Sequence, residues 1–436
     1  MSGEEIGLLA ILLMLIGIYF GMHIGVALIL VSFVSAALLK DATIAANMAA
    51  AAANDSLQEY VFGVVPLFVL MGLLVAVSGV GRDTFDVCEA MLRKVKGGLG
   101  VATVVANAAF AAVTGISIAS ASVFTKVATP EMMRHGYTPK FSVGVVAGSS
   151  VLGMLIPPSL LMIIYAMIAE TSVGRMFIAG IIPGILLAVM FSVMIIAMAH
   201  FWPNYIGGAQ AGREVRHETV GSSVRKAFPI VALIVVVLGG LYGGVFTPTE
   251  SGAAGALGAL VIAVARRSLS VRRFWRLAVE TGHISVSVMF LVLGANLYSR
   301  MLTLTGLPAF IATTLAEWGF GAYGFLTVYI IIVILLGCII DSISIMLIML
   351  PIVLPIASGF GMDIIWFGVV TVVAVEIGLI TPPFGISAFT VKAALDDRSI
   401  TLQEIFAGCV PFVLCMTLAV IILVLFPGLS TWLAYQ

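Results

Sequence analysis

A proline pair occurs twice in this chain, each time inside apolar sequence. Gly153-Met-Leu-Ile-Pro-Pro158 aligns without a gap on Gly378-Leu-Ile-Thr-Pro-Pro383, at an offset of 225 residues (378 minus 153) in a chain of 436. Each proline removes a backbone donor and disfavours helix in the residue before it, so the pair breaks a helix. A carbonyl freed at membrane depth costs several kcal/mol unless something satisfies it. A cation can do so. Two interrupted apolar segments at corresponding places in two halves are the sequence pointer to a transporter's binding site.

Composition decides which solvent those segments meet. Hydrophobic residues make up 61% of the chain, charged residues 10%, and the mean hydropathy is +1.20. A soluble domain is about 25% charged. The chain is a polytopic membrane protein in contact with lipid. Its 45 glycines suit close helix packing there. The formal net charge is zero and no basic field suggests nucleic acid. Cys88, Cys338, Cys409 and Cys415 have neither metal nor disulfide spacing. The first apolar run, from Ile6, follows acidic Glu4 and Glu5, so it is expected to be a first span and not a cleaved signal.

A span needs about 20 apolar residues. Residues 6–39 hold two short segments broken at Gly21-Met-His-Ile-Gly25, with His23 as a turn residue. Residues 41–60, rich in alanine, are expected to form a surface helix, and 61–80 the next span. Residues 82–98 carry Arg82, Arg93, Lys94 and Lys96 beside Phe85, Val87, Met91 and Leu92, an amphipathic basic arm for the cytoplasmic face. Residues 125–140, with Lys126, Glu131, Arg134 and Lys140, are expected to be a surface loop. A span follows over 176–201. Arg213, Arg216, Arg225 and Lys226 mark residues 202–226 as a cytoplasmic linker between halves. Spans follow over 228–246 and 251–265, turning at Thr247-Pro-Thr-Glu250. Arg266, Arg267, Arg272, Arg273 and Arg276 form a second basic arm before a span over 284–297. Residues 302–324 are an outer connection, 391–398 a polar exit containing Lys392 and Arg398, and 405–426 the last span.

A second repeated feature precedes each proline pair. Thr114-Gly-Ile-Ser-Ile118 begins a run of hydroxyls within apolar sequence, and Asp341-Ser-Ile-Ser-Ile345 is its counterpart at an offset of 227 (341 minus 114). Each half therefore holds a small-polar break and, some way on, a proline break. Asp341 is a carboxylate in an apolar run, which points to function by default; the alternative is a residue that caps the break. Glu376 divides evenly between structural partner and site residue. The repeats can be parallel or inverted on this reading.

Six motifs in order carry a family resemblance. They are the 148–159 segment, Ala179-Gly-Ile-Ile-Pro-Gly184, Gly243-Gly-Val-Phe-Thr-Pro-Thr-Glu250, Asp341-Ser-Ile-Ser344, Leu350-Pro-Ile-Val-Leu-Pro355 and Gly378-Leu-Ile-Thr-Pro-Pro-Phe-Gly385. Over essentially the whole chain these resemble the large membrane subunit of tripartite ATP-independent periplasmic (TRAP) transporters. The resemblance implies an all-α, elevator-type fold of about 11–12 transmembrane helices plus two re-entrant helical hairpins in two inverted repeats. It implies a sodium-coupled importer of an organic acid (sialic acid, a C4-dicarboxylate or a similar carboxylate or sulfonate) in a bacterial inner membrane. Its partners would be a separate small four-helix membrane subunit and a periplasmic substrate-binding protein.

On that frame, residues 1–98 and 228–323 hold scaffold helices and the basic arms. Residues 99–202 and 324–404 hold the transport-domain halves, 203–227 the linker and 405–436 a C-terminal helix. Sodium favours oxygen ligands, and broken helices offer carbonyls at their negative ends. The first expected sodium site is Thr114 with the carbonyls of Gly153, Ile156 and Pro158. The second is Asp341 or Ser342 with Gly378, Thr381 and Pro383. Ser117, Ser149, Ser150, Ser159 and Asp341 are candidates for substrate. The family more often reads Ser-Gly-Ser where this chain has Thr114-Gly-Ile, so Ile116 stands in place of a hydroxyl. A stand-alone dicarboxylate or citrate exchanger is the competing reading. An intramembrane enzyme is disfavoured, because no His-Glu-x-x-His or Gly-x-Ser-x-Gly occurs.

Overall fold

Several helices in this chain start where a side chain supplies a partner the backbone lacks. The structure, a computed structural model, describes residues 2–92, 94–207, 220–395, 397 and 399–436. Arg93, Arg213, Arg216 and Arg398 lie outside the described residues. Helix α1 (Gly3–Tyr19) opens on a Ser2–Glu5 capping box, and the chain reverses into α2 (Ile24–Leu39). The Asp41 carboxylate accepts from the Ile44 N–H to start α3 (Ala42–Gln58). Helices α4 (Val64–Val77) and α5 (Val80–Leu92) meet at a 66° bend, at Gly79 with φ +80°. Next come α6 (Gly98–Thr114), α7 (Ser117–Arg134), α8 (Pro139–Ser150), the short α9 (Leu152–Leu155), α10 (Leu160–Ile168), α11 (Val173–Phe201) and the short α12 (Pro203–Ile206).

The second part comprises α13 (Val220–Ile234), which runs through a π turn into α14 (Gly240–Tyr242), α15 (Pro248–Ala265), α16 (Val271–Thr305) and α17 (Leu307–Glu317). It continues with α18 (Ala322–Gly337), α19 (Ser342–Gly359), α20 (Ile364–Leu379), α21 (Ile386–Ala394), α22 (Leu402–Leu425) and the short α23 (Gly428–Thr431). Thr247 and Glu250 form a capping box at the start of α15, so the expected turn is the helix's own entry.

Two hairpins and two bent helices organise the interior. Phe110 stacks edge-on against Phe124 at 5.5 Å, and Thr103 lies beside Met132, pairs that place α6 and α7 antiparallel about residues 115–116. Phe325 meets Phe360 at 5.6 Å, so α18 and α19 fold back about residues 338–341. The Pro157-Pro158 segment bends the α8–α9 stretch against α10 by 41°. The Pro382-Pro383 segment separates α20 from α21. The end of α10 meets the start of α20, where the Tyr165 hydroxyl donates to the Ile364 carbonyl at 2.5 Å. The start of α8 packs on the start of α22, with the Gly144 and Gly408 backbones in contact. The two bent helices therefore run in opposite directions, and the repeats are inverted.

Six helices among the described residues are long and apolar enough to cross a membrane, and two bent pairs join them. Four shorter apolar helices are α2, α6, α18 and α20. Of these, α6 has 17 residues and α18 has 16. At about 1.5 Å per residue such a helix stops short of a hydrocarbon core of about 30 Å. Each turns back at a small-polar break, as a re-entrant hairpin requires.

Two expectations need correction. Residues 125–134 are not a loop: α7 continues through them, burying Thr125, Ala128, Thr129 and Met132 at helical spacing. The charged residues Lys126, Glu131 and Arg134 lie on the opposite face, and that alternation read as a loop. The second basic arm is not a separate helix. Arg272, Arg273 and Arg276 belong to the unbroken α16, whereas the first arm, α5, is set off by Gly79. The connection over residues 302–324 contains the end of α16, at Thr305, and α17. Salt bridges tie α5 down: Lys226 Nζ lies 2.6 Å from Asp86 and Arg266 2.5 Å from Asp83.

Candidate functional site

Each hairpin tip lies backbone to backbone against a proline break. In the first half α6 ends at Thr114, and Gly115, with φ +64°, turns the chain into α7. Only glycine fits there, because an added Cβ would lie 2.4 Å from the Pro158 carbonyl oxygen. The Gly115 carbonyl accepts from the Leu160 N–H at 3.1 Å. A Cβ on Gly153 would meet the Ser117 backbone at 3.1 Å. Pro158 thus lies against Gly115 and Gly153 against Ser117, whereas Ile156 packs against Gly184 of α11. The negative end of α6 and the positive ends of α7 and α10 converge there.

The hydroxyls around this junction divide sharply by use. The Thr114 hydroxyl donates back to the Phe110 carbonyl at 2.9 Å, leaving its own carbonyl facing α4, where a Cβ on Gly72 would come within 2.6 Å. Ser149 Oγ donates to the Val145 carbonyl at 2.6 Å and accepts from Asn107 Nδ2 at 2.5 Å. Ser120 completes the network by donating to Asn107 Oδ1. Ser150 donates to the Ala147 carbonyl at 2.8 Å, and Ser159 donates to the Met154 carbonyl at 2.5 Å while capping α10. Ser117 differs: its hydroxyl is buried with no protein partner among the described residues.

The second half repeats the junction with different chemistry. Gly337 of α18 touches Gly378 of α20, where a Cβ would lie 2.4 Å from the Gly337 Cα. The Phe384 N–H donates to the Cys338 carbonyl at 3.1 Å, as Leu160 does to Gly115. Asp341 is the N-cap of α19. Its Oδ1 accepts from the Ser344 N–H at 3.1 Å and its Oδ2 from the Ser344 hydroxyl at 2.5 Å. Thr381 turns inward on its own helix: its N–H donates to the Gly378 carbonyl and its hydroxyl to the Ile377 carbonyl at 2.6 Å. Pro383 and Phe384 are exposed. Ser342 is buried, and its hydroxyl lies 3.5 Å from Oε1 of Glu376. Glu376 Oε2 and the Ser387 hydroxyl are buried without partners among the described residues.

Sequence reasoning passed over Asn107, a lone amide inside the apolar run 99–113 that knits α6, α7 and α8 together. Its signal was that isolation. Gly337 and Gly72 gave none, because close helix approach is a property of the fold.

A family model described as "Tripartite ATP-independent periplasmic transporter, DctM component" matches residues 9–429. The C4-dicarboxylate TRAP transporter large permease protein DctM of Pseudomonas aeruginosa is 34% identical over 377 residues, covering 86% of each chain. The ectoine TRAP transporter large permease protein TeaC of Halomonas elongata is 31% identical, covering 85% of each. The sialic acid TRAP transporter large permease protein SiaM of Vibrio cholerae is 28% identical, covering 94% of each. Among solved structures, the Alcanivorax borkumensis YdaH transporter shares the fold, with a TM-score of 0.58 at 13% identity over 85% of this chain and 87% of that one.

Proposed function

The chain belongs to the DctM family of TRAP transporter large permease subunits, and on that premise we propose that it is a sodium-coupled importer of an organic acid. A periplasmic binding protein delivers the acid, a small four-helix subunit enlarges the scaffold, and the membrane is the bacterial inner membrane. The observation that carries the reading is the paired junction: two hairpin tips, each set against a proline break, in opposite orientations. Helix ends there present carbonyl oxygens and, at Ser117, Ser387 and Oε2 of Glu376, buried side-chain oxygens without partners among the described residues. Oxygen donors of this kind suit a hard monovalent cation. Thr114 with Gly153, Ile156 and Pro158 would hold one sodium ion. Asp341 or Ser342 with Gly378, Thr381 and Pro383 would hold the second. Bound sodium would offset the partial negative charge at the helix ends and fix the tips.

The acid sits between the tips in this reading. The helix N-termini at Ser117 and Ser159 supply N–H donors for its carboxylate. Ser149 and Ser150 support that wall through their bonds to backbone and to Asn107. Asp341, already capping α19, faces the hydroxyl or amine part of a substrate, because an ionised carboxylate repels another. The hairpins and bent helices move as one body against α1–α5 and α13–α17 in an elevator motion. Relatives named for C4-dicarboxylate, ectoine and sialic acid support an organic acid as the substrate class.

Uptake into proteoliposomes tests this. The chain is reconstituted with its small subunit, with binding protein and candidate acids outside and an inward sodium gradient. Uptake requiring both sodium and binding protein is expected. Uptake by this chain alone would replace the proposal with a stand-alone exchanger. Gly153→Leu is expected to abolish uptake while the protein still reaches the membrane. Sodium-dependent uptake at the normal rate in that variant would remove the first site.

A further inference from the structure

The second junction holds a buried carboxyl group that the first lacks. At the 225-residue offset of the proline motifs, Glu376 occupies the place of Val151 (376 minus 151). Both are 1% exposed. Val151 needs nothing from its surroundings. Glu376 carries a carboxylate among apolar neighbours on α20, two residues before the Gly378–Gly337 contact. Its Oε1 has the Ser342 hydroxyl at 3.5 Å, the outer limit of a hydrogen bond, and its Oε2 has no partner among the described residues. No cationic side chain among the described residues pairs with it. A carboxylate at such depth is strongly disfavoured unless a positive charge or several donors reach it. Nearby Asp341 has both oxygens engaged by Ser344, so the unmet demand is specific to Glu376.

We propose that Glu376 is the charged ligand of a monovalent cation in the second half, with the Ser342 hydroxyl beside it. This rests on the sodium-coupled reading above and changes its second site. There the anionic ligand is Glu376, while Asp341 serves as the helix cap. The chemistry selects a hard monovalent ion. The donors are oxygens, and one unshared carboxylate balances one positive charge. A divalent ion would call for more carboxylates than this site provides. The first junction is neutral, so it holds its ion by dipoles alone and is the weaker of the two.

Equilibrium binding of radiolabelled sodium to the purified full chain with its small subunit tests this, at fixed pH and without substrate. Wild type, Glu376→Gln and Ser342→Ala are compared, with thermal melts in sodium-free and sodium buffer. Glu376→Gln is expected to lose about half of the bound sodium and most of the sodium-induced rise in melting temperature. Ser342→Ala is expected to keep the stoichiometry and weaken one site by about tenfold, because it loses a neutral ligand and keeps the charge. Sodium binding by Glu376→Gln that matches wild type overturns the proposal and leaves sodium coupling standing. Absence of saturable sodium binding in wild type overturns both. If Glu376→Gln does not fold, Ser342→Ala decides: wild-type affinity at both sites overturns the proposal.

Discussion

The first proline break is enclosed and the second is open. Pro157, Pro158 and Ser159 are buried, with α4, α16 and α19 packed on α10 and α6 and α11 on α9. Pro382, Pro383 and Phe384 are exposed, with Phe384 at 55%. Yet the local device is the same in both: a tip carbonyl accepts from an N–H just beyond the proline pair. Neighbours, not the motif, set the difference. Val151 and Glu376 are equally buried, and Ile156 and Thr381 are both half-buried, so the difference in access lies at the prolines and at Ser159 against Phe384. A duplicated motif thus supplies a geometry twice and leaves each half free to acquire its own charge and access.

The largest effect that would separate the halves is expected at the glycines. Alanine at either position gains up to about 1 kcal/mol of helix propensity, so the difference isolates the contact. At Gly378 the new Cβ would meet the Gly337 backbone at 2.4 Å, which cannot yield without moving a helix. At Gly153 the nearest atoms stand at 3.1 Å and need give only a few tenths of an ångström. Gly378→Ala is expected to cost about 1–3 kcal/mol, the range of an overpacked core. Gly153→Ala should cost about 1 kcal/mol or less. Melting temperatures of the two detergent-purified variants check this. Equal losses would mean that the tightness of the glycine contact does not distinguish the halves.

Much of this architecture was legible because prolines and apolar runs act locally. The two breaks, the hydroxyl run at Thr114 and the cap at Asp341 all sit where the sequence places them. What the sequence could not carry was the partner of each group. Ser149 reads as a free hydroxyl until Asn107, 42 residues away, is seen to donate to it. Ser117 and Ser159 look equivalent, yet Ser159 is bonded to the Met154 carbonyl and Ser117 has no partner among the described residues. The α7 face from Thr125 to Met132 read as a loop because its polar residues are local, while the helices that bury its other side are not. Glu376 divided evenly for the same reason. A carboxylate's role depends on what reaches its oxygens.

Access itself gives the next comparison. Single cysteines at Phe384 and at Ser159 in a cysteine-free background report the second and first breaks. Phe384→Cys is expected to react with a polar maleimide at least about tenfold faster than Ser159→Cys, because reaction at the buried position needs local opening. Sodium should slow the reaction at residue 384 if the ion fixes the second junction. Comparable rates at the two positions without sodium would contradict the enclosed-versus-open distinction.

The smallest effect concerns the cap that only the second tip possesses. Asp341 accepts from the Ser344 N–H at the start of α19, while α7 begins after Ile116 with no side-chain cap. Asn caps about as well as Asp, so Asp341→Asn should cost a few tenths of a kcal/mol, and Asp341→Ala about 1 kcal/mol. If Asp341 instead supplies the charge for a bound cation, the order changes. Asn would then weaken sodium binding as much as Ala does, although it keeps the helix start. Stability and sodium affinity measured on both variants separate these roles. A stability loss confined to Ala, with sodium affinity intact in Asn, assigns Asp341 to the helix and leaves Glu376 as the charge that distinguishes the second half from the first.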